Sequence, residues 1–207
     1  MPAALDGIAI RWGSAGSLVL ISLAIMGSPG PATISLVAAG STLGLRRSVP
    51  YLLGIIVGTT AVLVAVATGI TAALLAVPVI GTVLVWISAA YILWLAYHIA
   101  TAAPLSEPTA AAGAFSPAGG ALLGVANPKA WLAIAAVFAS ARLATAATAD
   151  AAAKVAILTA MIVVISTTWL VAGATTAPLL RDPRRARIVN IVLAVVLVAA
   201  TALAVLH

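Results

Sequence analysis

Lys129 is the residue of this chain best placed to do chemistry. It stands inside an apolar stretch, about residues 118–141, directly after Asn127-Pro128. A lone ammonium in the hydrocarbon of a bilayer costs about 3 kcal/mol or more unless it meets water or a partner. The four acidic residues, Asp6, Glu107, Asp150 and Asp182, all read as tail or loop positions, so none is expected to pair with it. The pattern predicts a hole for an anionic group that a ligand brings, a carboxylate above all.

Two proline-centred motifs supply the setting. In Asn127-Pro128, Asn is a strong N-cap and Pro fits the first helical position, where its missing N–H costs nothing. Ser28-Pro29-Gly30-Pro31 follows the same logic, with Gly30 allowing close backbone approach. Each motif ends one half-helix and starts another in mid-run. Broken backbone at that depth survives only against protein or a polar cavity. If the two second half-helices enter from opposite sides, their N-termini converge on one place and favour an anion there.

The expected substrate-binding set is therefore Ser28, Pro29, Gly30, Pro31, Asn127, Pro128 and Lys129. No catalytic set, metal-ligand set or cofactor is expected. The ammonium of a zwitterion would turn to unwound carbonyls or hydroxyls near the breaks, for instance on Ser28. A further positive charge would stand unpaired beside Lys129, so a neutral amino acid is expected over lysine or arginine. With no acidic residue placed in the membrane, Lys129 is the leading proton carrier and His98 the second candidate.

The elements that must position these residues follow from composition. The 207 residues are 64% hydrophobic and 7% charged, which excludes an ordinary soluble domain. Five apolar stretches exceed the length that spans a bilayer and a sixth comes close. The spans run over about 14–43, 49–75, 80–99, 118–141, 151–177 and 188–206. Arg11 ahead of an apolar run has the look of a signal peptide. The run continues through the prolines to Leu43, so it is expected to stay as the first span. Residues 101–117, rich in Ala and Pro, form the linker between a half at 1–100 and a half at 118–207. Three spans in each half make the second half enter from the other side. The expected fold is a single all-α polytopic membrane domain, a 3+3 inverted repeat with broken first and fourth helices.

The net charge of +6 sits in short loops, where it sets orientation rather than binding nucleic acid. Arg46, Arg47, Arg181, Arg184, Arg185 and Arg187 on one side, against Arg11, Arg142 and Lys154 on the other, place both termini outside. Trp12, Tyr51, Trp94 and Tyr97 read as interface anchors. Gly40-x-x-x-Gly44, Gly54-x-x-x-Gly58 and Gly120-x-x-x-Gly124 read as close helix crossings. Thr59, Thr60, Thr68, Ser166, Thr167 and Thr168 either line a pathway or bond back to their own helices.

At the two breaks the chain resembles the lysine exporter superfamily, which includes the homoserine and threonine exporters. Ser28-Pro29-Gly30-Pro31, Asn127-Pro128-Lys129 and the basic turn Gly44-Leu45-Arg46-Arg47 carry the likeness, which covers essentially the whole chain. The resemblance implies efflux of amino acids or their derivatives across the cytoplasmic (inner) membrane, driven by the proton gradient. Related branches export metal cations. The lack of cysteine and of a His-rich loop separates this chain from them. A passive channel for small solutes and a membrane anchor are the competing readings. No nucleophile–base pair suggests an enzyme. The expected partners are an amino-acid-like small molecule and the lipid bilayer, with a homodimer left open.

Overall fold

A computed structural model describes residues 10–69, 86, 90, 92–101, 115–176 and 182–206. Among these residues all regular structure is helical. The elements are α1 Trp12–Ile25, α2 Pro31–Leu43, α3 Leu45–Ala67, α4 Pro117–Ala126, α5 Pro128–Ala139, α6 Ala147–Thr176 and α7 Pro183–Leu206. Residues 92–100 are helical as well.

Both expected breaks are present. The chain breaks between α1 and α2 and again between α4 and α5, which bend by 58° at Asn127. By length and composition α3 and α6 can each cross a membrane, and the bent α4–α5 pair makes a third candidate. Half of the third expected span, the Val77-Pro78-Val79 connection and linker residues 102–114 lie outside the described residues, as do Asp6 and Glu107.

Glycine-lined crossings hold the helices close. Gly54 and Gly58 of α3 face Gly120 and Gly124 of α4, each within reach of the other helix's backbone. A methyl group on Gly124 would stand 2.7 Å from the Thr59 amide nitrogen. Without side chains in the way, two backbones gain dispersion contact along their length. The third glycine pair differs from the expectation. Gly40 meets Gly173 of α6, while Gly44 faces nothing within 4 Å. Gly44 instead adopts φ +75° as the single residue between α2 and α3, a conformation that costs glycine little. Ser48 pins that corner by donating to Ala39 O and Gly44 O, both at 2.9 Å.

Three sequence expectations need correcting. Tyr51 is fully buried, edge-on to Phe115 with ring centroids 5.2 Å apart, because the bare surface of Gly120 admits its ring. It is a core residue, whereas Trp12 and Tyr97 are well exposed. Asp150 is not in a loop: α6 begins at Ala147, and the carboxylate accepts from the Leu143 and Ala144 amides and pairs with Lys154 at 2.8 Å. Lys154 is consequently a buried, neutralised cation rather than a loop charge, and it also lies over the Phe138 ring. Finally, α7 starts at Pro183, five residues before the expected Ile188, so Arg184, Arg185 and Arg187 project from its first turns.

Candidate functional site

The prolines dictate the local chemistry. A proline at position i cannot donate to the carbonyl at i−4, so Pro29 and Pro31 leave Ile25 O and Gly27 O without their helical donors. Side chains replace them. Ser28 Oγ donates to Ile25 O at 2.8 Å, and the Trp169 indole, reaching over from α6, donates to Gly27 O at 3.2 Å. At the second break the Asn127 side chain caps α5 by accepting from the Lys129 amide at 3.2 Å. That amide is thereby diverted from Val125 O, which takes the Trp131 indole at 2.6 Å instead. Each break thus leaves a carbonyl sealed by a tryptophan.

Lys129 joins the two breaks. From the first turn of α5 its half-buried side chain crosses to the first break and donates to Ser28 O, to Ser28 Oγ at 2.8 Å and to Pro29 O at 3.0 Å. An ammonium has three donors and no acceptor, so this set satisfies it fully. Gly30 makes the crossing feasible: a methyl group there would lie 2.6 Å from Lys129 Cδ. On its other side the Gly30 N–H donates to Thr33 Oγ1 at 2.8 Å, and that hydroxyl donates back to Gly30 O at 3.0 Å.

Beside this clasp lies a cavity of about 60 Å³, drawn from both breaks and from α3 and α6. At roughly 10–15 Å³ per water-sized group it has room for several. Its polar lining comes from Thr33, Asn127 and Lys129 at the breaks, Thr59 of α3 and Ser166 of α6. Ile55, Ala133, Ile134 and Ile162 contribute apolar walls. A few convergent polar groups in an apolar pocket are what a small polar ligand requires.

Of the expected site residues, Ser28, Pro29, Gly30, Asn127 and Lys129 converge here, and Gly30, Asn127 and Lys129 also line the cavity. Pro31 and Pro128 act as the first residues of α2 and α5. Lys129 differs from expectation in having oxygen partners within the chain. The hydroxyl candidates divide. Thr59 and Ser166 reach the cavity, Thr68 and Thr168 bond back to their own helices, and Thr167 lies on an open groove of α6. Among the described residues Thr60 Oγ1 has no partner. His98 packs edge-on between Trp94 and Tyr97, with centroids 4.4 and 5.7 Å away, in an aromatic group at the surface. Trp131, Trp169 and Thr33 were not anticipated. Counting the carbonyl that Pro31 orphans, Gly27 O, would have pointed to the need for a donor such as Trp169.

The LysE type translocator family matches residues 21–207, a range that includes both breaks. Cysteine/O-acetylserine efflux proteins of Salmonella choleraesuis (strain SC-B67) and Salmonella typhi are each 40% identical over 81 residues. That match spans 39% of this chain and 41% of each relative's length. No solved structure matches the chain. With its helical membrane architecture and the matched region extending over most of its length, the chain belongs to the LysE type translocator family.

Proposed function

We propose that the protein is a proton-coupled secondary exporter of a small neutral amino acid or amino-acid derivative, working in the cytoplasmic (inner) membrane and not as an enzyme. The observation that carries this reading is the cavity at the meeting of the two breaks, with Lys129 at its edge. The substrate carboxylate binds against Lys129 and the N-terminal ends of α2 and α5, where the helix dipoles favour negative charge. Thr59 and Ser166 complete the polar lining. Cysteine and O-acetylserine, named for the similar Salmonella proteins, are zwitterions without net charge and fit the expected class.

The architecture we infer is six spans in a 3+3 inverted repeat with both termini outside. The packing supports it. The first span, through α2, packs on the fifth, and the fourth, through α4 and α5, packs on the second. Equivalent members of the two halves are thus paired crosswise, and Thr59 and Ser166 stand on corresponding spans. Arg11, Arg142 and Lys154 are the counterweight to the six arginines assigned to the cytoplasmic side, and the count of basic residues favours that side. Alternating access follows if α3 and α4, locked by four glycines, rock against α2 and α6, locked by Gly40 and Gly173, around the cavity between them.

The test is counterflow in proteoliposomes loaded with O-acetylserine, cysteine, threonine, leucine, lysine or arginine, with and without an imposed pH gradient. Saturable flux of the neutral substrates, accelerated by the gradient, is the expected result. Non-saturable flux that ignores the gradient identifies a channel. Strong flux of lysine or arginine alone overturns the neutral-substrate assignment.

A further inference from the structure

We propose that the carbonyl end of the first half-helix is a primary-ammonium subsite, which Lys129 occupies while the transporter is empty and vacates when substrate binds. The inference deepens the exporter reading above and rests on it for the identity of the natural ligand. Its own basis is the geometry of the clasp.

The chain shows an ammonium already seated there. Ser28 O, Ser28 Oγ and Pro29 O surround Lys129 Nζ, which lies 2.8 Å from Oγ and 3.0 Å from Pro29 O. The backbone oxygens come from residues next to the prolines, so the breaks themselves expose them. Three acceptors around one nitrogen fit an R–NH₃⁺ group, which has three donors, and reject a quaternary ammonium, which has none. Gly30 keeps the approach open, and the cavity reaches both Gly30 and Lys129. A ligand entering that cavity therefore meets a seat of the right chemistry with the protein's own amine in it.

The consequence is an exchange. A substrate's α-ammonium takes the Ser28 and Pro29 oxygens, and the displaced Lys129 swings to the substrate's carboxylate. Both charges of the zwitterion are then matched, and the tie between the first and fourth spans becomes a tie through the substrate. A ligand with an ammonium but no carboxylate can fill the seat yet leaves Lys129 unpaired. A ligand with a carboxylate alone leaves Lys129 where it is.

The chain has only two lysines, Lys129 and Lys154, and the second is held by Asp150 at 2.8 Å. Side-chain ¹⁵N-labelled lysine thus gives a two-signal NMR spectrum from the full chain in nanodiscs, with Lys154 as internal control. Titration with ethylammonium should move the Lys129 signal saturably and leave Lys154 in place, whereas tetramethylammonium should move neither. By calorimetry, Lys129→Met should bind ethylammonium at least about tenfold more tightly than wild type. A seat nine-tenths filled by the lysine weakens a competitor by that factor.

An unmoved Lys129 signal at saturating ethylammonium, or equal response to tetramethylammonium, overturns the proposal. So does unchanged affinity in a folded Lys129→Met protein; should that variant not fold, the wild-type titration decides alone. Counterflow on the same preparation separates this inference from the exporter reading. Amino-acid flux without displacement of Lys129 defeats only the exchange. Displacement by ethylammonium without amino-acid flux supports the ammonium seat and defeats only the exporter assignment.

Discussion

Lys129 donates all three of its protons within two residues of backbone, and Gly30 is the gap through which it does so. Gly30 itself is extended, with φ −166°, a conformation open to any residue. The three atoms nearest to an added methyl group all belong to Lys129. Gly30→Ala should therefore destabilise the protein by about 1–3 kcal/mol through overpacking against the lysine. In a Lys129→Ala background the same change should be nearly silent, a coupling that a thermal-unfolding cycle in detergent reads directly. An equal loss in both backgrounds would show that Gly30 serves some other contact. The clasp was half legible in the sequence. The prolines announced free carbonyls, and Lys129 announced an ammonium in need of acceptors. The matched breaks put both motifs at one site, but linear spacing could not say that Lys129 donates directly to Ser28, since a contact across 101 residues depends on the whole packing of the helices.

At the scale of elements, the apolar runs and the two breaks were readable because chain length and missing proline donors act locally. Helix starts governed by caps were less so: Asp150 drew α6 four residues beyond its apolar run by accepting from Leu143 and Ala144. The glycine motifs gave the right residues for the crossing of α3 with α4. They failed at Gly44, where the positive φ of a helix junction competed with the packing interpretation. These crossings make a clear prediction. Gly58→Val places a branched side chain against the Ala121 backbone and should abolish monodisperse protein in detergent. Gly16→Ala, facing open space, should leave it unchanged or improve it slightly through helix propensity. A well-behaved Gly58→Val protein would show that the two helices separate at little cost. The breaks should behave differently. Pro29→Ala and Pro128→Ala restore amide donors to the helices and straighten them, so transport should fall while insertion and monodispersity persist. Normal initial rates in both variants would reduce the breaks to packing features.

At the scale of the molecule, the two breaks, α3, α5 and α6 line one small cavity, and a single side chain bridges the breaks beside it. Charge-assisted hydrogen bonds contribute about 1.5–3 kcal/mol each, so losing the ammonium should cost transport about tenfold to a hundredfold. The structure need not suffer in proportion, because removing the cation also removes its desolvation cost. Lys129→Met in proteoliposomes, at matched protein content, isolates that contribution. Counterflow of O-acetylserine should drop by at least about tenfold while the variant remains monodisperse in detergent. Wild-type flux from a folded Lys129→Met protein would contradict the assignment of the substrate site to the meeting of the two breaks.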